Sequence, residues 1–330
     1  MTFRAFRVFD EAGTLQGRVV DATLGELSPG DVIIRAAYSS VNYKDALAAT
    51  GAGKIIRKLP LIAGIDVSGT VESSGDARFR EGDQVLATGY DLGVAHDGGY
   101  SQYVRIPADW VVPIPSGLSA NDVMALGTAG LTAALSVVAL ERNGMQPGQG
   151  PVIVTGATGG VGSMAVQCLA ALGYEVTALT GKDREHEYLR SIGATDVVPR
   201  SVVQPGTKPI EKATWAAAVD CVGGDTLAWL TRTMAYRGAI AASGLTGGID
   251  VRTTVIPFIL RAVKLLGIDS VMCPMDERLA AWRRLATDMK PAHLHASVRE
   301  IGLTDLPEAF ATLARGEARG RFVVKLTGES

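Results

Sequence analysis

The pattern of hydrophobic and polar positions changes about one third of the way along the chain. Before that point, short apolar runs are bounded by Gly and Pro, which predicts a compact β-rich region. From about residue 124 onward, apolar runs alternate with helix-like stretches, as is typical of βαβ units and a parallel sheet. The strands predicted in the first region are 3–9, 31–36, 69–72, 84–87 and 103–106.

The second region carries enough apolar runs for a complete dinucleotide-binding sheet of six strands. The first run is followed by Val161, Ala165 and Cys168 at helical spacing, which predicts the first crossover helix. The predicted strands are 151–155, 175–179, 196–198, 217–222, 239–243 and 264–268.

A last β-branched run, 321–326, has no helix after it, so we expect it to return to the first region. The predicted domains are therefore discontinuous: residues 1–123 with 296–330 form one, and residues 124–295 form the other.

Length and composition place the chain among folded globular proteins. Its 330 residues are about twice the ~150 usual for one domain, and 47% hydrophobic with 20% charged residues argues against a disordered chain or a coiled coil. A formal net charge of -2 supplies no global field for a nucleic-acid backbone, so no nucleic-acid partner is expected.

Cysteine usage and hydropathy favour a cytosolic (cytoplasmic) protein with no membrane partner. The three cysteines, Cys168, Cys221 and Cys273, form no CxxC pair and signal no disulfide framework. The N-terminal segment is interrupted by charges and lacks the continuous apolar stretch of a secretory signal. The most apolar segment, 124–140, falls short of the ~20 residues that span a bilayer, so we predict a buried helix there.

The most specific local motif is a glycine-rich turn between a predicted strand and a predicted helix. It is a variant of GxGxxG in which Ala157 stands in the first glycine place. Small residues here let a pyrophosphate approach the free N–H groups at a helix N-terminus. An ordinary turn is the alternative. The residues predicted to hold the pyrophosphate are Thr158, Gly159, Gly160, Val161 and Gly162.

The end of the next predicted strand indicates which nucleotide is bound. An Asp or Glu there would take the ribose hydroxyls of NAD, whereas this chain has Thr180, Gly181 and Lys182. A hydroxyl, a compact backbone and a cation would accept a 2′-phosphate, so NADPH is the predicted cofactor. In the alternative, Lys182 is a solvated loop residue and Asp183 or Glu185 supplies the acid.

With these features the whole chain resembles the medium-chain dehydrogenase/reductase superfamily, in its zinc-free quinone-oxidoreductase-like branch. It is similar in particular to the NADPH-dependent acrylyl-CoA reductases. The resemblance implies an α/β fold with a Rossmann doubly wound parallel sheet and a discontinuous GroES-like β-rich catalytic domain. The motifs that carry it are 40–47, 53–57, 64–66, 127–130 with Thr132, 186–189 and 257–261.

The residues at the zinc positions of this superfamily predict that no metal is bound. Zinc-dependent relatives carry Cys where this chain has Asn42, His-Glu where it has 65–66, and Cys where it has Thr128. The histidines, which are His96, His186, His293 and His295, form no chelating set.

Without a Lewis acid, reduction of an activated double bond is the natural reaction. Hydride would go to the β carbon of a conjugated thioester, and the α carbon would take a proton. Tyr43 can donate a hydrogen bond or a proton, and Asn42 has an amide donor, so both are predicted catalytic residues. Alternatively, Tyr43 is a packed aromatic at the start of a helix. Asp45 is interpreted as a helix-start or structural carboxylate, and the role of Asp66 is left open between structural and catalytic.

The resemblance implies further contacts to NADPH. It places Tyr43, Thr128 and Thr132 near the nicotinamide, although the threonine hydroxyls could instead bond within their own helix. It makes Arg200 a second candidate for the 2′-phosphate. It also expects backbone contacts from the segments that contain Leu245 and Ile259.

The predicted reaction is the reduction of acrylyl-CoA to propionyl-CoA, with an acyl-CoA as the substrate. A quinone or alkenal reductase is the alternative within the same fold, and a non-catalytic nucleotide sensor is a third reading. The basic loop of Lys54, Arg57 and Lys58 could hold coenzyme A phosphates or be a solvated surface. A homodimer is expected, through the unpaired edge of the strand predicted near 264–271.

Overall fold

The computed structural model describes residues 1–204, 206 and 208–327. Its strands are β1 Thr2–Glu11, β2 Thr14–Thr23, β3 Val32–Val41, β4 Leu61–Ile62, β5 Asp66–Ser74, β6 Gln84–Thr88, β7 Tyr103–Ile106, β8 Val112–Pro113, β9 Val152–Thr155, β10 Val176–Thr180, β11 Asp196–Pro199, β12 Trp215–Asp220, β13 Met234–Ala242, β14 Lys264–Gly267, β15 Val298–Ile301 and β16 Arg321–Lys325.

The helices are α1 Tyr43–Thr50, α2 Ala120–Arg142, α3 Gly160–Ala171, α4 His186–Ser191, α5 Gly224–Thr233, α6 Ile256–Arg261, α7 Met275–Ala286 and α8 Leu306–Ala314. The apolar helix predicted at 124–140 is longer than expected, because α2 extends over 23 residues. Of the described helices, α2 alone is long and apolar enough to cross a membrane. The apolar stretch that meets this test is 83% buried inside the protein, as it is in core helices.

The chain forms two compact units. The first unit contains Met1–Thr128, Val271–Leu279 and the chain from Leu294 onward. The second unit contains Ala129–Ser270 and Ala280–His293.

The first unit is built on two sheets whose strands pair in antiparallel fashion, except for the parallel pair β15–β16. In the larger one the strand order is β15-β16-β3-β5-β6-β8, with β7 paired to β3, and the smaller one is ordered β2-β1-β4. Buried apolar side chains on alternating positions of β3 and its neighbours form the core of this unit. Strand β16 pairs with β3 and brings Phe322 beside Val41.

The second unit contains a six-stranded parallel sheet in the order β11-β10-β9-β12-β13-β14. Taken in chain order within this sheet, the strands lie 3-2-1-4-5-6, which is the doubly wound dinucleotide-binding order. All four residues of β9 are buried, as expected for a strand covered on both faces. The predicted α/β class with a Rossmann parallel sheet and a β-rich companion is confirmed.

The sequence analysis missed strand β2. Its apolar residues are interrupted by polar, charged and glycine positions, and only Ala22 among them is buried, so no continuous apolar run marks it. Gly17 near its middle is required by packing, because a Cβ there would lie 2.5 Å from the ring of Phe6.

Candidate active site

The carboxylate of Asp66 is the centre of a buried polar cluster in the first unit. Asp66 begins β5 and is fully buried. Its Oδ2 accepts hydrogen bonds from Ser40 Oγ at 2.5 Å, Asn42 Nδ2 at 2.8 Å and the Thr128 backbone N–H at 3.0 Å. Its Oδ1 accepts one from Thr128 Oγ1 at 2.5 Å. Both carboxylate oxygens are therefore satisfied by protein donors.

The positive charge that compensates Asp66 comes from the far end of the sequence. Arg321 is the first residue of β16, and its side chain is only 3% exposed. Its Nη2 lies 3.8 Å from Asp66 Oδ2. Burial lowers the pKa of Arg321, while the charges of the nearby carboxylates oppose that shift. Its hydrogen bonds, at 2.7–3.3 Å, go to four oxygen atoms: Ser40 Oγ, Asn42 Oδ1 and the carbonyl oxygens of Val41 and Ala125.

A second buried carboxylate, Asp45, lies in the first turn of α1. It accepts hydrogen bonds from the backbone N–H groups of Asn42 at 2.8 Å and Ile65 at 3.0 Å. Burial and the charge of Asp66 raise the pKa of Asp45 to about 7. Tyr100 donates its hydroxyl to the Ser40 carbonyl oxygen at 3.3 Å, and burial raises its pKa well above the usual value.

The bend in α2 brings its backbone against this cluster. Gly127 interrupts the helix with φ 55° and ψ -158°. A Cβ at this position would lie 2.6 Å from Arg321 Nη2, Asp66 Oδ2 and Ser40 Oγ. Only glycine combines this left-handed φ with so close an approach.

The predicted catalytic residues stand at the edge of the cluster. Tyr43 is the first residue of α1 and is half-buried. Asn42 directly precedes it and is buried, with Nδ2 donating to Asp66 and Oδ1 accepting from Arg321. At least one of the two amide hydrogens of Asn42 is therefore used inside the protein rather than toward a substrate.

The two threonines predicted near the nicotinamide have different surroundings. The Thr128 hydroxyl donates to Asp66 within the cluster, a partner that sequence reasoning did not suggest. The Thr132 hydroxyl lies in the second unit and donates to Ser270 Oγ at 2.7 Å.

The glycine-rich turn lies between β9 and α3, where the sequence placed it. Gly156 has φ 58°, and the N–H of Gly159 donates to its carbonyl oxygen at 2.9 Å. A Cβ at Gly162 would lie 2.4 Å from that same oxygen, so the small residue keeps the turn closed against the helix. Thr158 is buried in the turn, and Gly160 and Val161 form the first turn of α3.

A buried acid supports this turn from the neighbouring strand. Asp220 ends β12 and accepts the Thr155 hydroxyl at 2.6 Å and the Gly223 N–H at 2.8 Å. Burial raises the pKa of Asp220, which its hydrogen bonds partly counteract. The sequence analysis did not identify Asp220, although an Asp that ends an apolar strand beside a Gly-Gly pair is a visible signal.

The residues predicted for the 2′-phosphate are gathered at the ends of β10 and β11. These strands are parallel neighbours, and their last residues, Thr180 and Pro199, are paired. Arg200 directly follows Pro199, so it lies at the same edge of the sheet as Thr180. A Cβ at Gly181 would lie 3.0 Å from the Arg200 guanidinium. The Thr180 hydroxyl accepts the Lys182 N–H at 3.1 Å.

The two alternative acids at this end of the sheet differ in exposure, since Asp183 is exposed and Glu185 is buried. Glu185 is buried with its carboxylate 3.4 Å from Arg184, and Asp183 lies 3.8 Å from His186. The two remaining predicted contact residues are exposed: Leu245 by 53%, after β13, and Ile259 by 68%, within α6.

Two other predicted groups lie on surfaces. Lys54, Arg57 and Lys58 are exposed, and Arg57 has an ion pair with Asp91 at 3.5 Å. His293 and His295 are also exposed. Among the described residues, no group of three or more His, Cys, Asp or Glu side chains could hold a metal ion.

The residue that sequence reasoning missed in the cluster is Arg321. The sequence pattern places Arg321 only at the start of a predicted apolar strand, 321–326. An arginine inside a run of buried strand residues must find a charged or carbonyl partner, and this requirement was the available signal. Ser40 was noted within a motif but not as a ligand of Asp66.

Two protein families match the chain. The family described as "Alcohol dehydrogenase GroES-like domain" matches residues 28–116, and that described as "Zinc-binding dehydrogenase" matches residues 160–287. The acrylyl-CoA reductase AcuI of Ruegeria pomeroyi is 49% identical over 316 residues, which are 96% of this chain and 96% of that protein. YhfP of Bacillus subtilis, named provisionally as a quinone oxidoreductase, is 49% identical over 326 residues, 98% of this chain and 99% of YhfP.

Solved structures of similar proteins carry nucleotides. The crystal structure of YhfP with NAD bound matches with a TM-score of 0.97 and 49% identity, covering 99% of this chain and 100% of YhfP. The crystal structure of YhdH from Escherichia coli K-12 with bound NADPH matches with a TM-score of 0.95 and 45% identity, covering 98% of this chain and 100% of YhdH.

Proposed function

Because the chain belongs to the medium-chain dehydrogenase/reductase superfamily, we propose that it is an NADPH-dependent oxidoreductase that reduces acrylyl-CoA to propionyl-CoA. The observation that carries this proposal is the cluster at the zinc positions. Asn42 and Thr128 stand there, and both oxygens of Asp66 are taken by protein hydrogen bonds. This donor set does not fit a zinc ion, which prefers thiolate and imidazole ligands.

The second unit fits a nucleotide that carries a 2′-phosphate. The closed glycine turn leads into the start of α3, where free N–H groups favour the negative charge of a pyrophosphate. Arg200 and Lys182 supply cations at the end of β10. YhdH is solved with NADPH and YhfP with NAD, so this cationic pair is the feature by which we assign NADPH.

The proposed chemistry needs one proton donor from the protein. NADPH supplies the hydride when bound, and the polarity of a conjugated thioester directs it to the β carbon. The developing enolate oxygen then needs a hydrogen-bond donor, and the α carbon needs a proton. We assign one of these tasks to the Tyr43 hydroxyl, with Asn42 fixed beside it: Tyr43 donates a hydrogen bond to the enolate oxygen or passes a solvent proton to the α carbon. Acid-base help of this kind contributes typically about 10² to 10⁴ in rate.

Steady-state kinetics with acrylyl-CoA test the proposal. Wild-type protein should reduce acrylyl-CoA with NADPH at least about tenfold more efficiently than with NADH, the factor set by one charge-assisted phosphate contact. Tyr43→Phe should lower kcat by about 10² or more while the dissociation constant for NADPH stays within twofold. Tyr38→Phe, a half-buried tyrosine of β3, is the matched control and should keep full turnover.

Isotope labelling tests the direction of the reaction. With deuterated NADPH the label should appear at the β carbon of propionyl-CoA. Label at the α carbon, or full turnover by Tyr43→Phe, would overturn the assigned roles.

A quinone reductase is the second candidate, and the similarity to YhfP supports it. Both reactions would use the same nucleotide site. Comparison of kcat/KM for acrylyl-CoA with that for a simple benzoquinone separates them. A preference for the quinone of tenfold or more would favour this second function.

We further propose that the first unit is the catalytic domain, the second unit binds NADPH, and the protein is a homodimer. β14 ends the order of the parallel sheet and is paired on one side to β13, and Leu265 on it is 44% exposed. Pairing of this edge with a second copy would extend the sheet. Light scattering at micromolar concentration tests the dimer. None of the three cysteines, which all lie in the described part of the chain, forms a disulfide, and this supports the cytosolic location that we propose.

A further inference from the structure

We propose that the buried pair of Asp66 and Arg321 positions the catalytic region: it fixes the side chains of Asn42 and Thr128 and, through Asn42, the start of helix α1. This inference rests on the proposed function in so far as Tyr43 is the proton donor. It assigns Asp66 and Arg321 as positioning residues, and neither is assigned a contact to substrate.

Placing the charges of Asp66 and Arg321 in the protein interior costs free energy. Asp66 and Arg321 are both buried, and their closest charged atoms are 3.8 Å apart, beyond hydrogen-bonding distance. A buried ion pair of this kind contributes little net stability, and apolar replacements of such pairs are often neutral or stabilising. The structure therefore gives a reason other than stability for keeping the two charges.

The side chains of Asp66 and Arg321 make hydrogen bonds to several segments of the chain. Asp66 accepts from Ser40, Asn42 and Thr128, and Arg321 donates to oxygens of two chain segments, residues 40–42 and Ala125. Together the pair joins β3, the start of α1, β5, β16 and the bend of α2 at one point. Apolar side chains could fill the same volume but could not direct these hydrogen bonds.

The amide of Asn42 shows the positioning directly. Its Nδ2 donates to the carboxylate of Asp66 at 2.8 Å, and its Oδ1 accepts from Arg321 Nη1 at 3.0 Å. A flipped amide would place Nδ2 against the guanidinium and Oδ1 against the carboxylate, so opposite charges on the two sides select one orientation. Asp45 holds the backbone N–H of the same residue at 2.8 Å. The residue before Tyr43 is thus fixed by three hydrogen bonds.

The same pair holds the bend of α2 on both sides of Gly127. Arg321 Nε donates to the Ala125 carbonyl oxygen at 3.3 Å, and Asp66 accepts the Thr128 N–H at 3.0 Å. Both groups lie where the bend leaves backbone atoms outside the helical hydrogen-bond pattern. Thr128 is thereby fixed through its backbone as well as through its hydroxyl.

The nearby carboxylate Asp45 carries less negative charge than an ordinary aspartate, because burial and the charge of Asp66 raise its pKa to about 7. Among its described contacts Arg321 gives no hydrogen bond to Asp45, and its ion pair, at 3.8 Å, is with Asp66.

The test removes both charges together, because removing one would leave the other buried and uncompensated. The double variant Asp66→Asn/Arg321→Met should fold and bind NADPH with a dissociation constant within twofold of the wild type. Its kcat for acrylyl-CoA should fall roughly 10- to 100-fold, the loss expected from misplacement of about 1 Å, with little change in KM. Glu141→Gln/Arg284→Met removes an ion pair of the second unit and should keep kcat.

A coupling measurement separates positioning from general loss of stability. In the wild type Tyr43→Phe should cost about 10² or more in kcat, whereas in the double variant it should cost less than about threefold. Equal factors in both backgrounds would overturn the inference, as would a double variant with wild-type kcat. Arg321→Lys keeps the charge but not the planar fork. Arg321→Lys should therefore also lose most of its kcat. Wild-type kcat in Arg321→Lys would overturn the positioning role assigned to the hydrogen bonds of the guanidinium.

Hydrogen exchange supplies a readout that needs no substrate. In the double variant and in Arg321→Lys, exchange in peptides spanning 38–50 and 122–134 should accelerate at least about tenfold, while exchange in 150–165 stays unchanged. Unchanged exchange in the first two peptides would overturn the inference whatever the enzyme reduces. A wild type that fails to reduce acrylyl-CoA would overturn the proposed function alone, since this exchange measurement would still decide the positioning role.

Discussion

The glycine turn of the second unit and the Asp66–Arg321 cluster of the first unit are built in opposite ways. The turn comprises the consecutive residues 155–162 and is shaped by backbone atoms and missing side chains. The cluster is shaped by side chains of residues as far apart in sequence as Ser40 and Arg321, 281 positions. The comparison shows that a backbone site can be recognised in a short motif, whereas a side-chain site depends on the topology that brings its parts together.

The two regions also respond to different perturbations. The cluster holds two carboxylates and a guanidinium away from water, so a change there alters folding stability and its pH dependence. The turn contains no charged side chain, so a change there should alter nucleotide affinity before it alters stability. Four substitutions test this contrast.

Gly127→Ala should have the largest effect. The added Cβ would come within 2.6 Å of atoms of Asp66, Arg321 and Ser40, at a φ of 55° that alanine rarely adopts. Displacing a buried ion pair should lower the free energy of unfolding by about 3 to 5 kcal/mol. Denaturant unfolding measures the loss. Gly25→Ala, an exposed site with nothing within 4 Å, is the control and should change stability by less than about 0.5 kcal/mol.

Gly162→Ala should weaken NADPH binding with a smaller change in stability. A Cβ here would lie 2.4 Å from the Gly156 carbonyl oxygen and force the turn to open. We expect a roughly 100-fold rise in the dissociation constant for NADPH, about 2.7 kcal/mol, measured by fluorescence titration. Gly267→Ala, with nothing within 4 Å of its Cβ, should bind NADPH normally. If Gly162→Ala lowered the free energy of unfolding strongly but left the dissociation constant for NADPH unchanged, the contrast between the two regions would be wrong.

Arg200→Ala should change the choice of nucleotide. Its guanidinium lies against Gly181, where the 2′-phosphate is proposed to bind. Loss of a charge-assisted contact should weaken NADPH binding about tenfold and leave NADH binding unchanged. Arg190→Ala, an exposed arginine of α4, is the matched control. An equal loss for both nucleotides would show that Arg200 acts on the fold of the turn instead.

Asp45→Asn should produce the smallest effect, in the pH dependence of stability. The pKa of Asp45 is raised from 3.8 to about 7, so between these values the folded protein holds a proton that the unfolded chain releases. Stability contributed by this group is therefore lost as pH rises from about 4 to about 7. Between pH 5.5 and 6.5 the wild type should lose about 1 kcal/mol more than Asp45→Asn. If the free energy of unfolding changed equally with pH in both proteins, the raised pKa of Asp45 would be contradicted.

The sequence predicted the parts of the fold whose signals are local. The six strands of the parallel sheet, the glycine turn and the cationic end of β10 were all found from apolar runs and short motifs. The edge strand β2 was missed, because polar, charged and glycine positions interrupt its apolar residues and leave no continuous apolar run. The full length of α2 was missed, because its first turn contains Asn121 and Asp122.

The cluster could be predicted only in part. Asn42, Asp66 and Thr128 were identified as occupants of the zinc positions, but their mutual hydrogen bonds were not foreseen. The bonds to Asp66 require the antiparallel pairing of β3 with β5, and those from Arg321 require the pairing of β16 with β3, which places Arg321 beside residues near position 40. No short-range pattern in the sequence encodes that pairing.

The origin of Arg321 in the last strand has a consequence for biosynthesis. A ribosome releases the chain from its N-terminus, and domains generally fold as they emerge. All residues of the glycine turn and of the parallel sheet β9–β14 have emerged before β16, so that sheet can form while the cluster still lacks its guanidinium. Until β16 emerges, Asp66 would be a carboxylate without its cation. Ordering of the cluster is thereby coupled to synthesis of β16, and a chain that stops before Arg321 would retain the glycine turn without the ordered cluster.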